Sequence, residues 1–123
     1  MKTILTALFV LTTASTAFGR TLVCENGDIN VVGDAYQSYE ISDKGISYRG
    51  WEWGYEVAAA DVTYNGKTAV VQNKAIEYWA EGDIYHHVLN EMMVLSEDKK
   101  TLQVTSSLDG EAFQSQTLGC VIK

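Results

Sequence analysis

The chain has 123 residues, with 9 lysine and arginine residues against 16 aspartate and glutamate residues, so its net charge is −7. This balance argues against nucleic acid and anionic lipid as partners, because both are bound through basic surfaces. It permits a basic protein partner.

The first segment has the pattern of a secretory signal peptide. Lys2 gives a short positive start, residues 4–11 are mostly apolar, and small residues follow as far as Ala17. An apolar run of this length is too short to span a membrane. We predict a signal peptide over residues 1–19, cleaved after Gly19 or alternatively after Ala17, and a single domain over residues 20–123. The mature protein is then periplasmic or secreted, with no membrane insertion after cleavage.

The two cysteines, Cys24 and Cys120, lie near the two ends of the mature chain. An even pair in an exported protein predicts a disulfide. Closing so long a loop stabilises a fold by roughly 4 to 5 kcal/mol in the chain-entropy model. The alternative, two reduced or metal-binding cysteines, lacks an accompanying cluster of Cys or His.

Turn residues recur about every ten positions along the rest of the chain, which is typical of an antiparallel meander. Segment 56–64 is ambiguous between strand and short helix, and Asn65-Gly66 predicts a two-residue hairpin turn. We therefore predict an all-β fold of about eight strands, with the disulfide linking the first to the last in a closed barrel; a two-sheet sandwich is the alternative. The predicted strands are 21–24, 29–32, 36–41, 46–53, 68–71, the two arms of 74–95, 101–106 and 112–122.

Residues 74–95 predict a long central hairpin with its turn at Glu81-Gly82-Asp83. Because side chains alternate along a strand, Tyr78 and Trp79 are expected on opposite faces. The adjacent His86 and His87 are likewise expected on opposite faces, so they cannot share one metal ion.

Catalytic patterns are weak in this sequence. Four acidic residues lie around the hairpin: Glu77, Glu81, Asp83 and Glu91. They would suit glycoside hydrolysis only if two of them approached each other closely. No nucleophile elbow or phosphate-binding glycine loop occurs. We predict a protein that is not an enzyme and that has no cofactor and no metal site.

Residues 46–53 carry an aromatic alternation. Arg49, Trp51 and Trp53 fall on one face of a strand, while Ile46 and Tyr48 fall on the other. The usual burial of tryptophan favours Trp51 and Trp53 as core residues. If exposed, the same side chains form a surface suited to a protein or sugar partner.

The run Tyr78-Trp79-Ala80-Glu81-Gly82-Asp83 resembles the aromatic-Trp-x-x-Gly-Asp turn of the periplasmic C-type and membrane-bound lysozyme inhibitors. Export, small size, an all-β pattern and an early and a late cysteine are shared as well. The Ser-Gly-x-x-Tyr element of that family's inhibitory loop has no counterpart here, so no inhibitory residue is carried over.

These observations predict an exported binding protein, and we expect it to inhibit a basic enzyme such as lysozyme. The alternative is a barrel that carries a small apolar molecule in its interior. An inhibitor requires a filled core and a protruding acidic loop, whereas a carrier requires a roomy cavity lined by aromatic residues. The candidate partner-binding residues are Arg49, Trp51, Trp53, Tyr78, Trp79, Glu81 and Asp83.

Overall fold

The computed structural model describes residues 18–26 and 36–123. The predicted strand 29–32 and the predicted signal segment before Phe18 lie outside this part of the chain. The described strands are β1 (Leu22–Glu25), β2 (Ser38–Ser42), β3 (Gly45–Arg49), β4 (Trp53–Ala58), β5 (Thr63–Asn65), β6 (Thr68–Ala80), β7 (Asp83–Leu95), β8 (Thr101–Leu108) and β9 (Glu111–Ile122), with a 3-10 helix at Ala59–Asp61.

Eight of these strands form a closed antiparallel barrel. They are hydrogen-bonded in the order β4-β3-β2-β1-β9-β8-β7-β6, and β6 returns to β4 to complete the ring. The short β5 pairs only with the first residues of β6. The predicted closed barrel is confirmed, and the sandwich is excluded. No helix in the described residues is long and apolar enough to cross a membrane.

The ring closes at two places between strands distant in the sequence. The first closure joins β1 to β9 through four residue pairs, and Cys24 lies directly opposite Cys120. These two cysteines form the predicted disulfide, which links the first strand to the last across 96 positions of the chain.

The second closure joins β4 to β6 and is much shorter. Only two residue pairs form it, Trp53 with Ala80 and Gly54 with Trp79. One further backbone bond, from the Glu81 N–H to the Glu52 carbonyl at 2.9 Å, extends it by a residue. Below this point β4 and β6 are not paired with each other, and no covalent link joins them.

The barrel interior is filled with side chains. Tyr39, Tyr48 and Tyr55 are fully buried, and their ring centroids are spaced 4.8 and 5.0 Å apart. The end of the barrel away from the β6–β7 turn is apolar. Its core includes Leu22, Ile41, Ile46, Val57, Met93, Leu95, Leu102, Val104 and Leu118.

Phe18 is completely buried and packs against Tyr64, with 5.8 Å between the ring centroids. Burying a phenylalanine stabilises a fold by about 1.5 to 3 kcal/mol. Of the two predicted cleavage positions, only the one after Ala17 keeps this residue in the mature chain.

Two local predictions are corrected by the structure. The two-residue turn between β5 and β6 is Gly66-Lys67 rather than Asn65-Gly66, because Asn65 still pairs with Thr68. Gly66 takes the positive φ, +60°, that a tight hairpin turn requires. The predicted strand 46–53 ends at Arg49, and the chain turns before β4 begins at Trp53.

Candidate binding surface

The β6–β7 hairpin carries most of the candidate residues and forms as predicted. Ala80 pairs with Asp83, so Glu81 and Gly82 are the two turn residues. Their φ angles are +51° and +89°, the left-handed values that a tight two-residue turn needs at both positions. Asp83 therefore begins β7 rather than lying within the turn.

Three carboxylates surround the turn, and we name Glu52, Glu81 and Asp83 the acidic rim. All three are exposed. Glu52 lies in the β3–β4 connection, and its carbonyl accepts the bond from the Glu81 N–H at 2.9 Å. The rim thus joins two connections at one end of the barrel. A cluster of exposed like charges projects a negative potential toward solvent.

Large apolar side chains lie beside the rim, and we name Trp51, Trp79 and Ile84 the apolar patch. Their exposed fractions are 60%, 36% and 60%. Trp79 lies directly opposite Ile84 on the outer face of the hairpin. The prediction that Trp51 belongs to the core is therefore wrong, because this residue occupies a turn and not a strand.

Trp79 is held in place by two neighbours. The Arg49 guanidinium lies 5.6 Å from the ring centroid, which is the geometry of a cation–π contact. On the strand side, a Cβ at Gly54 would come within 2.7 Å of the indole, so only glycine allows the ring to lie this close to β4. Arg49 also pairs with Glu56 at 3.5 Å. The ring is thus oriented before any partner arrives.

Two of the seven candidates point inward instead. The Trp53 Nε1–H donates to the Tyr48 hydroxyl at 3.0 Å, inside the mouth of the barrel. Tyr78 packs against Tyr55 and Phe113, with 6.2 and 5.9 Å between the ring centroids. Tyr78 and Trp79 lie on opposite faces, as predicted. The structure brings Arg49, Trp51, Trp79, Glu81 and Asp83 to the outer surface of this end, and it places Trp53 and Tyr78 beneath them.

The two histidines lie on opposite faces of β7, as predicted. His86 is exposed, while His87 turns toward the barrel mouth and its Nδ1 lies 2.6 Å from Asp109 Oδ2. Asp109 also accepts the Val88 N–H at 2.8 Å. The hydrogen bond with His87 is the main reason that the pKa of Asp109 is lowered.

The barrel wall separates Glu91 from the other three hairpin carboxylates. Glu91 is buried in the interior and only 3% exposed, whereas Glu77 is exposed on the outer face. Burial raises the pKa of Glu91 to about 7, although the hydrogen bond from the Tyr55 hydroxyl opposes this shift. The Tyr55 hydroxyl donates to Glu91 Oε2 at 2.6 Å. These two carboxylates therefore do not form the pair that glycoside hydrolysis requires.

In residues 18–26 and 36–123, no group of three or more His, Cys, Asp or Glu side chains is arranged to hold a metal ion.

Sequence reasoning missed three residues of this surface, namely Glu52, Glu56 and Ile84. The sequence pattern places Glu52 inside the predicted strand 46–53 and gives no sign that it lies in a turn. Ile84 follows the turn on the face of Trp79, so the strand alternation of the hairpin carried a signal for it. Comparison of the chain with family models, with curated proteins and with solved structures gives no match.

Proposed function

We propose that this protein is an exported binding protein that occludes a basic protein partner, an enzyme such as lysozyme, with the end of the barrel that carries the acidic rim. The observation that supports this proposal most is the juxtaposition of that rim with the apolar patch. Apolar residues at the centre of an interface supply most of its affinity, and charges at its edge supply speed and selectivity.

The electrostatics of the whole chain favour the same kind of partner. The net charge is −7, so the general field attracts a cationic protein and the rim directs it to one end. Rim carboxylates at the exposed turn pair with no cation in the ion pairs of the described residues. Their charge is therefore available to lysine and arginine side chains of a partner.

The packing of the barrel supports the inhibitor over the carrier. A carrier needs an interior that is open to its ligand, whereas three tyrosines fill the middle of this barrel: Tyr39, Tyr48 and Tyr55. The Tyr48 hydroxyl is further held by the Trp53 Nε1–H and by the Gln114 amide at 3.0 and 3.1 Å. Making room for an apolar molecule would break these bonds.

The proposal is tested by titrating the mature, oxidised protein against lysozymes of several types while lytic activity and direct binding are measured. We expect binding at or below micromolar concentration and a loss of lysis in the same range. Trp79→Ala should raise the dissociation rate by roughly tenfold or more, because a preoriented ring at the centre of the surface is lost.

Trp53→Phe is the matched aromatic control. Trp53 lies within the barrel mouth, so this variant keeps the outer surface and should leave the dissociation rate near that of the wild type. If neither lysis nor binding responds at micromolar protein, the inhibitor function is rejected and the carrier becomes the leading function.

A further inference from the structure

The barrel wall is interrupted below the second closure, and we name the interruption the seam. It lies between residues 55–58 of β4 and residues 74–78 of β6, which are not paired with each other. Its upper limit is the Gly54–Trp79 pair. Its lower limit is the ion pair between Lys74 and Asp61, with 3.2 Å between nitrogen and oxygen.

The register of the neighbouring strands shows which backbone groups face the seam. In an antiparallel sheet, every second residue of a strand exchanges both of its backbone hydrogen bonds with the strand on one side. The residues between them direct their N–H and C=O groups toward the strand on the other side. Ala80 and Asp83 flank the two-residue turn and are bonded to each other, so Tyr78 and Ile76 also bond toward β7. Ala75, Glu77 and Trp79 therefore direct their N–H and C=O groups toward β4.

The same alternation holds for β4. The Gly50 N–H bonds to the Trp53 carbonyl at 2.8 Å, so Tyr55 and Val57 direct their backbone groups toward β3. Glu56 is then the first β4 residue below Gly54 that faces β6. Glu56 and Glu77 would be the next bonded pair, but the ladder stops before them. Like charges directly opposite each other on two strands destabilise pairing.

A groove of about 450 Å³ lies over this seam. Its walls are Glu56 on one side and Ala75, Ile76 and Glu77 on the other, with Trp79 and Ile84 at its upper end. The exposed strand edge, residues 74–78 of β6, spans five residues, or about 17 Å at the rise of a β-strand. Within the part of the chain that the structure describes, no strand covers this edge of β6.

We propose that the seam binds an extended, basic segment of the partner protein, which adds as a strand along the edge of β6. An unpaired edge offers backbone donors and acceptors to an incoming strand, which is how peptides are bound by β-augmentation. Glu77 lies beside that edge, has no partner among the ion pairs of the described residues, and selects lysine or arginine over acidic side chains, whereas Glu56 is already paired with Arg49 at 3.5 Å. Trp79 and Ile84 supply apolar contact at the end nearest the acidic rim. The choice of a basic protein as the partner rests on the proposed function. The unpaired edge of β6 is independent of that function.

The test uses the disulfide-bonded mature protein labelled with ¹⁵N and a capped seven-residue peptide of alternating lysine and valine. We expect shifts of the Ala75 and Glu77 amides and slower hydrogen exchange there. Methylating the peptide nitrogens that face β6 should weaken binding by about tenfold, because it removes two or more hydrogen bonds. A glutamate–valine peptide of the same length should not bind.

Ala75→Pro is the matched protein variant, with Ala75→Ser as its control. The Ala75 N–H faces the seam, so proline removes a seam donor without removing a bond of the β6–β7 ladder. We expect Ala75→Pro to weaken the peptide by about fivefold and Ala75→Ser to leave it unchanged. Equal binding of the methylated and unmethylated peptides, or shifts confined to the rim, would overturn strand addition and would do so even if Ala75→Pro failed to fold.

The two proposals fail separately in this design. Lysozyme binding without any peptide shift at β6 would remove the seam as a site and leave the proposed function in place. Peptide binding at β6 without any lysozyme bound would keep the seam and remove lysozyme as the partner.

Discussion

The two closures of the barrel are built differently. The β1–β9 closure has four residue pairs and a covalent bond between Cys24 and Cys120. The β4–β6 closure has two residue pairs, after which the two strands are no longer paired with each other. The β1–β9 closure is fixed by a disulfide bond, which persists in an oxidising compartment. The β4–β6 closure leaves part of the edge of β6 unpaired.

Side chains replace the missing backbone bonds at the second closure. Tyr55 on β4 reaches across the interior to Glu91 on β7, and Arg49 on β3 lies over Trp79 on β6. Such contacts are weaker and more dependent on conditions than a covalent bond. The comparison therefore indicates that stability is concentrated at the first closure, whereas the second closure combines a weaker wall with the candidate binding surface.

The largest expected effect comes from breaking the first closure. Replacing both Cys24 and Cys120 by serine should lower the free energy of unfolding by roughly 4 kcal/mol, because the unfolded chain regains the freedom of a very long loop. Urea denaturation of the oxidised wild type and the double variant measures this difference. A loss below about 1 kcal/mol would show that the disulfide is not the main constraint on the ring.

The next largest effect concerns Glu91, whose pKa is raised from 4.5 to about 7 by burial. The folded state therefore holds the proton more tightly than the unfolded state, and stability falls as the pH rises from about 4.5 to about 7. Glu91→Gln removes this dependence while still accepting the Tyr55 hydrogen bond. The variant should match the wild type near pH 4 and exceed it by about 3 kcal/mol at pH 8.

Denaturation of both proteins at a series of pH values measures the difference directly. Parallel stability curves for Glu91→Gln and the wild type would contradict a raised pKa at this position. Such curves would also show that the Tyr55–Glu91 hydrogen bond, which spans the second closure, does not make stability depend on pH.

A smaller effect on the free energy of unfolding is expected when one of the two glutamates at the seam is replaced by a lysine. Glu77→Lys places opposite charges across the second closure and should stabilise the barrel by roughly 0.5 kcal/mol. Glu111→Lys, at the exposed β8–β9 turn, makes the same change in net charge away from the seam. If both variants gain equally in urea denaturation, the effect is one of total charge and the glutamates do not weaken the second closure.

The fold was predictable because its signals are local. Turn residues such as Gly82 and Gly110 take positive φ angles at their turns, and the alternation along 74–95 sets which side chains face the core. The cysteine pair then determined how the two ends of the sheet meet. The β5–β6 turn was misplaced by one residue because Asn65 is compatible with either position.

The binding surface was only partly predictable, because it depends on how distant strands align. No local pattern places Glu52 beside Glu81, or Glu56 opposite Glu77, since both relations arise from the register of β4 against β6. The burial of Glu91 could not be predicted from the sequence either. The alternation of side chains along its strand is the same whether the inner face of the strand is apolar or polar. The residue type of Trp51 favours the core, but its position in a turn leaves it exposed.

The most direct test of the proposed function is the association rate between the mature protein and a basic lysozyme, measured over a range of salt. Neutralising the rim with Glu81→Gln and Asp83→Asn should lower this rate by roughly tenfold at low salt, with a smaller change in the dissociation rate. The effect should shrink as salt rises, because charges are screened over about 10 Å at 0.1 M. Asp43→Asn with Glu97→Gln removes the same charge at the opposite end of the barrel and should leave the rate near that of the wild type. Equal losses in the two double variants, or no association at micromolar protein, would contradict a binding surface at the acidic rim.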